Sequence, residues 1–182
     1  MATYIKEKLE EYLFRDGVFT YAILDGASVD GLPQKLFEMA PRHVCLYRGE
    51  LSDEMIHVAP YLVKLEKGSD FTSWVLTEGW GKHWGIFAQS SVSLTGIQRQ
   101  CRSILTVNNE NGDPMLFRYY DPRVLEPFLM TCTIDELRII FGPISHYFAE
   151  SFDKSELTRM HISDDALVET KLSFGDAAGA AK

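Results

Sequence analysis

The chain has 182 residues, 46% hydrophobic and 24% charged, a balance that suits one soluble globular domain able to bury a core without disulfide or metal staples. Its 26 acidic and 18 basic residues give a net charge of −8, which argues against nucleic acid or an anionic membrane surface as partner, since both call for a basic footprint. Cys45, Cys101 and Cys132 are far apart and form no CxxC pair, so neither a disulfide framework nor a zinc ribbon is indicated, and a reducing cytoplasm is the expected compartment.

The first residues, MATYIKEKLEEYLF, hold no apolar run bounded by a cleavage site, so no signal peptide is expected. No segment approaches the roughly 20 apolar residues of a membrane-spanning helix. Residues 4–15 predict a helix with Ile5, Leu9, Tyr12 and Leu13 on one face. The apolar run Val18 to Leu24, closed by Asp25-Gly26, reads as a strand buried on both faces. Asp30 is placed to cap a short helix with Leu32, Leu36 and Phe37 inward, and Val44 to Tyr47 reads as a strand. A helix is expected from Glu50 to Val58, with Leu51, Met55 and Val58 in register, then a strand from Tyr61 to Leu65. Ser69 or Asp70 caps a helix with Phe71, Trp74, Val75 and Leu76 inside, stopped by Gly79.

Trp84 to Ala88 is a further buried strand, and Ser93 to Leu105 a helix with Leu94, Ile97 and Cys101 at helical spacing. Leu105 to Val107 and Met115 to Phe117 flank Asn111-Gly112, which suits a type I′ hairpin turn. Asp121-Pro122 starts a helix that Pro127 kinks or shortens. Thr133 and Glu136 form a capping box for a helix closed by Gly142-Pro143. The alternation of strands and helices, then a hairpin and a helical pair, predicts an α/β or α+β fold with a mixed sheet flanked by helices. Residues 1–150 are expected to form the main domain. Residues 151–182 form a more polar C-terminal extension that supplies edge strands and ends in a disordered tail.

No catalytic, cofactor-binding or metal constellation stands out. The loop Gly79-Trp80-Gly81-Lys82-His83-Trp84-Gly85 is superficially similar to a phosphate cradle. However, Trp84 stands where GxGxxG needs glycine, and the loop leads from helix to strand, the reverse of a phosphate site. A helix stop and tight turn is the simpler reading. His43, His57, His83, His146 and His161 lack HExxH spacing, and there is no GxSxG elbow. Asp25 lies past the end of the first strand, where α/β sheets place ligands, but Asp-Gly is also an ordinary turn.

The densest cluster is Arg118-Tyr119-Tyr120-Asp121-Pro122-Arg123. One reading is structural, an ion-pair network around the cap residue Asp121 that fixes a strand–helix corner, with Thr133 capping the next helix. The other is functional, with Arg118, Tyr119, Tyr120 and Arg123 exposed as a partner-binding face, since Arg and Tyr favour interface hot spots. An enzyme reading would set Asp25 with Arg118, Asp121 and Arg123 around a pocket.

Six segments occur in a telling order: Tyr21 to Ala27, Leu46 to Leu51, Ala59 to Leu65, Gly79-Trp80-Gly81 with Trp84 to Phe87, Leu116 to Leu125, and Phe141-Gly142-Pro143. Together they resemble the adaptor and chaperone domain of bacterial type VI secretion systems, a family long catalogued only as a domain of unknown function. The resemblance spans roughly residues 21–150. It implies a non-enzymatic, cofactor-free cytoplasmic protein that binds a toxic effector and promotes its loading onto the valine-glycine-repeat spike. The alternative is a small α/β enzyme or ligand-binding domain around Asp25 and the arginines.

Overall fold

The computed structural model describes residues 2–108 and 111–174. Phe19–Asp25 is strand β1, with six of its seven residues buried. It pairs with β3 (Pro60–Leu65) on one side and β4 (Gly85–Ser90) on the other. Outside β3 lies β2 (His43–Cys45). Outside β4 lie β7 (Ile144–Glu150), β8 (Glu156–Ser163) and β9 (Ala166–Ser173), giving the order β2-β3-β1-β4-β7-β8-β9. A separate hairpin joins β5 (Thr106–Asn108) to β6 (Pro114–Leu116).

The class is α+β. Every described pairing is antiparallel, so the sheet is not mixed as expected. The alternation of strand and helix suggested parallel neighbours, but the helical connections from β1 to β2 and from β3 to β4 each skip one position, and an antiparallel strand fills the gap.

Helices cover both faces, which is why β1 reads as an apolar run rather than an alternating one. Side chains alternate across the sheet. Tyr21 and Ile23 therefore face α5 (Leu94–Ser103), α6 (Pro122–Leu129) and α7 (Ile134–Phe141), where Ile97, Cys101, Leu125 and Leu137 are buried. Ala22 and Leu24 face α2 (Leu32–Met39) and α4 (Asp70–Glu78), through Leu32, Leu36, Phe71 and Val75. Further along that face, Leu9 and Leu13 of α1 (Ala2–Leu13) pack with Phe148 and Leu157. Each fully buried Leu or Ile contributes about 2 kcal/mol of transfer free energy.

Local signals hold at several helix starts. Ser69 accepts from the Thr72 amide, and Thr133 and Glu136 form a reciprocal capping box. Others differ. Asp30 is exposed and does not cap α2; Gly31 takes the N-cap position at φ 69°, with no side-chain cap bond. Phe37 is 87% exposed rather than inward. The helix expected from Glu50 is the shorter α3 (Asp53–Val58), capped by Ser52, and its Met55 and Val58 are exposed because no layer lies over them. In the hairpin, Asn108 pairs with Pro114. That register leaves an odd-numbered connection, not the two-residue loop of a type I′ turn; residues 109–110 lie outside the described residues.

The expected extension is built into the sheet. β8 and β9 continue it, and the chain then returns to α1, where Tyr4 and Tyr12 hydroxyls donate to the Phe174 and Ser173 carbonyls. The predicted disordered tail, residues 175–182, lies outside the described residues. No helix among those residues is long and apolar enough to cross a membrane.

The closest backbone approach is at Gly85, where a β-carbon would collide with the Ile23 carbonyl of β1. Gly85→Ala is expected to destabilise the domain by about 3 kcal/mol through forced separation of β1 and β4, read as a fall in the urea midpoint with unchanged m-value.

Candidate functional site

Strand alternation puts Asp25, the last residue of β1, on the same face as Tyr21 and Ile23, and the residue is 1% exposed. A buried carboxylate needs donors, and three converge on it. The Ala27 amide donates to Oδ1 at 3.1 Å, and the Ser28 hydroxyl donates to Oδ2 at 2.8 Å. The Arg118 guanidinium, arriving from the segment between β6 and α6, donates to Oδ2 at 2.5 Å. The local turn supplies two of these donors, and the long-range ion pair supplies the third.

The pairing continues into the next helix. Arg118 also lies 4.0 Å from Asp121 Oδ2. Asp121 caps α6 by accepting from the Arg123 amide at 3.0 Å. The same carboxylate takes Arg123 in a two-pronged contact, Nε to Oδ1 at 2.9 Å and Nη2 to Oδ2 at 2.8 Å. Thus Asp25, Arg118, Asp121 and Arg123 form one chain of alternating charge. Burial pushes the Asp121 carboxyl up, but the Arg123 hydrogen bonds and the two guanidinium charges outweigh it and leave the pKa lowered. The hydrogen bond to Asp25 raises Arg118.

The tyrosines take no part in an exposed face. Tyr119 and Tyr120 are buried, at 0% and 1% exposure, which corrects their placement on a contact surface. The Tyr119 hydroxyl donates to the Cys101 carbonyl at 3.0 Å, and its ring meets Tyr120 edge to face. Burial pushes both phenols up, and at Tyr120 the neighbouring Tyr47 adds to the effect. Only the outer edges of Arg118 and Arg123, with side chains 45% and 48% exposed, reach solvent.

The glycine loop 79–85 holds an anion after all, though an internal one. The amides of Gly81 and His83 both donate to the Glu150 carboxylate, the former at 2.6 Å. His83 Nδ1 lies 2.5 Å from Oε1 but without hydrogen-bond alignment. Gly81 and His83 adopt positive φ, at 80° and 55°, which turns these two alternate amides toward one carboxylate while the Lys82 amide between them donates to the Gly79 carbonyl, an anion-binding concavity of backbone donors. Burial raises the Glu150 pKa against the pull of the Gly81 amide and His83. Trp80 and Trp84 pack as expected, on Phe174 and Trp74 respectively. Sequence reasoning missed Glu150 because it lies 69 residues from Gly81 and carries no local signature.

The cysteines are unbridged. Burial pushes the Cys101 thiol up to about 12 and raises Cys45 as well, the opposite of what a nucleophilic thiolate needs. No group of three or more His, Cys, Asp or Glu among the described residues is placed to hold a metal ion.

These features define a three-layer α+β domain whose inward charges are matched by its own groups. The family model described as "Domain of unknown function (DUF4123)" matches residues 20–138, and the chain belongs to that family. The match runs from β1 into α7 and leaves α1 and β7 to β9 outside it. Among curated proteins and solved structures no significant match is found.

Two outcomes are expected. In a double-mutant cycle, Asp25→Ala and Arg118→Ala should couple by about 1–2 kcal/mol in urea unfolding, at the lower end for a buried pair because Arg118 is half exposed. Additive effects would mean the two groups act independently. Since the folded pKa of Asp121 is depressed, its contribution is present above the ordinary carboxylate value of about 3.9 and is lost as pH falls through the lowered folded value. Below about pH 4, wild type should therefore lose more stability than Asp121→Asn.

Proposed function

We propose that the protein is a non-enzymatic adaptor and chaperone of a type VI secretion system, binding a toxic effector in the cytoplasm and promoting its loading onto the valine-glycine-repeat spike. The observation that carries this reading is the coincidence of the family match at residues 20–138 with nearly all of the ordered segments that resemble the adaptor family. The charge chemistry is compatible with it. Asp25 spends its carboxylate on Arg118, Ser28 and its own turn, and Asp121 spends its own on Arg123 and a helix cap.

The second reading, an enzyme or ligand-binding domain around Asp25, Arg118, Asp121 and Arg123, has one favourable observation. The four residues do lie in one contiguous chain. A general base, however, needs an oxygen that can reach a substrate proton, and the Asp25 side chain is 2% exposed. The adaptor reading is therefore preferred.

Co-expression with the product of the neighbouring gene decides between them. An adaptor should co-purify with it as a stable complex through size exclusion and raise its soluble yield. If the neighbour encodes neither spike nor toxin, and no complex forms, the adaptor reading fails.

A further inference from the structure

The exposed side of α6 and the β7–β8 loop enclose a groove of about 530 Å³. Its lips are apolar. Met130, just past α6, is 66% exposed, and Phe152 at the loop tip is 84% exposed. Two large hydrophobic side chains facing water around a concavity mark an interaction site rather than ordinary surface. Neither was singled out from the sequence, and neither belongs to the Asp25 network.

The charge around the lips points to the occupant. Both lining cations are matched at close range, Arg123 on Asp121 at 2.8 Å and Lys171 on Glu126 at 2.5 Å. The remaining lining acids, Asp153 and Glu156 among them, leave the groove net negative. Asp153 is held in place by its loop. Its Oδ1 accepts from the Ser151 hydroxyl, the Ser155 hydroxyl and the Ser155 amide, and these bonds lower its pKa to about 2. The wall formed by α6 lies inside the family match, whereas the loop and Lys171 lie beyond it.

We propose that this groove is the docking site for an apolar protein segment that carries basic residues, with Phe152 and Met130 gripping the apolar part and Asp153 and Glu156 the positive charge. It deepens the adaptor reading, on which the identity of the natural partner rests, by naming the surface and the chemistry of the segment bound there. Complementary charge at a rim sets orientation and rate, while the buried apolar anchors carry affinity.

The test uses the full chain labelled at its methionine methyl groups, with a synthetic amphipathic Lys/Leu peptide and its Glu/Leu counterpart as probes. The Lys/Leu peptide should shift the Met130 resonance and leave Met55 and Met115, exposed on other elements, unmoved. Phe152→Ala, at an exposed loop tip and so expected to keep the wild-type Tm, should weaken that binding about tenfold, as loss of an aromatic anchor does, and the Glu/Leu peptide should bind at least tenfold more weakly, a factor equal to about 1.4 kcal/mol. The proposal is overturned by any of four results: no Lys/Leu binding, equal binding of both peptides, an unaffected Phe152→Ala, or shifts at Met55 or Met115 instead. Wild-type dimerisation abolished by Phe152→Ala would assign the groove to a second copy and overturn it too. Because the probes are synthetic, these outcomes are separate from the neighbour co-purification, so either idea can fail alone.

Discussion

A carboxylate at the end of a strand covered on both faces cannot be left to water. Asp25 stands on the Tyr21–Ile23 side of β1, beneath the layer of α5, α6 and α7. Its local turn supplies two donors, and Arg118 supplies a compensating charge from 93 residues away. Bringing Arg118 there sets the path of the chain into α6. Asp121 then lies within reach of the same guanidinium while it caps the helix and binds Arg123. Removing one partner of a buried pair costs more than the pair contributes in isolation, so the corner is tied to the central strand by electrostatic necessity as well as by packing.

A second internal neutralisation mirrors the first. The glycine loop between α4 and β4 turns two amides toward Glu150 at the end of β7. Loop geometry that elsewhere receives a phosphate is here filled by the protein's own side chain. In both places the residues that look most like binding chemistry are consumed in holding the layers together. The proposed docking groove lies instead on a less conspicuous surface, where Phe152 and Met130 stand out of the β7–β8 loop and the end of α6.

Features that depend on neighbours in sequence were legible. The caps at Ser69, Asp121 and Thr133 each satisfy an amide two or three residues on, so the residue types at that spacing are enough to find them. The doubly buried β1 was legible because apolar composition reports burial directly. Helical periodicity says which side chains share a face, but not whether anything covers that face. Met55, Val58 and Phe37 were placed inward on periodicity and are exposed for want of a covering layer. Tyr119 and Tyr120 failed in the opposite sense, because an Arg- and Asp-rich context suggested surface while both rings are packed under α5 and beside Tyr47.

The sequence by itself determined the element types, most helix starts, a sheet flanked by helices with the choice between α/β and α+β left open, and the family, because those follow from short-range periodicity, capping chemistry and ordered local segments. Only the tertiary structure decided strand direction, the pairing of Asp25 with Arg118, the capture of Glu150 by the glycine loop and the groove beside Phe152. Each of these joins residues tens of positions apart, and the free energy that selects them, the desolvation of charge and the burial of both sheet faces, exists only once the layers have come together.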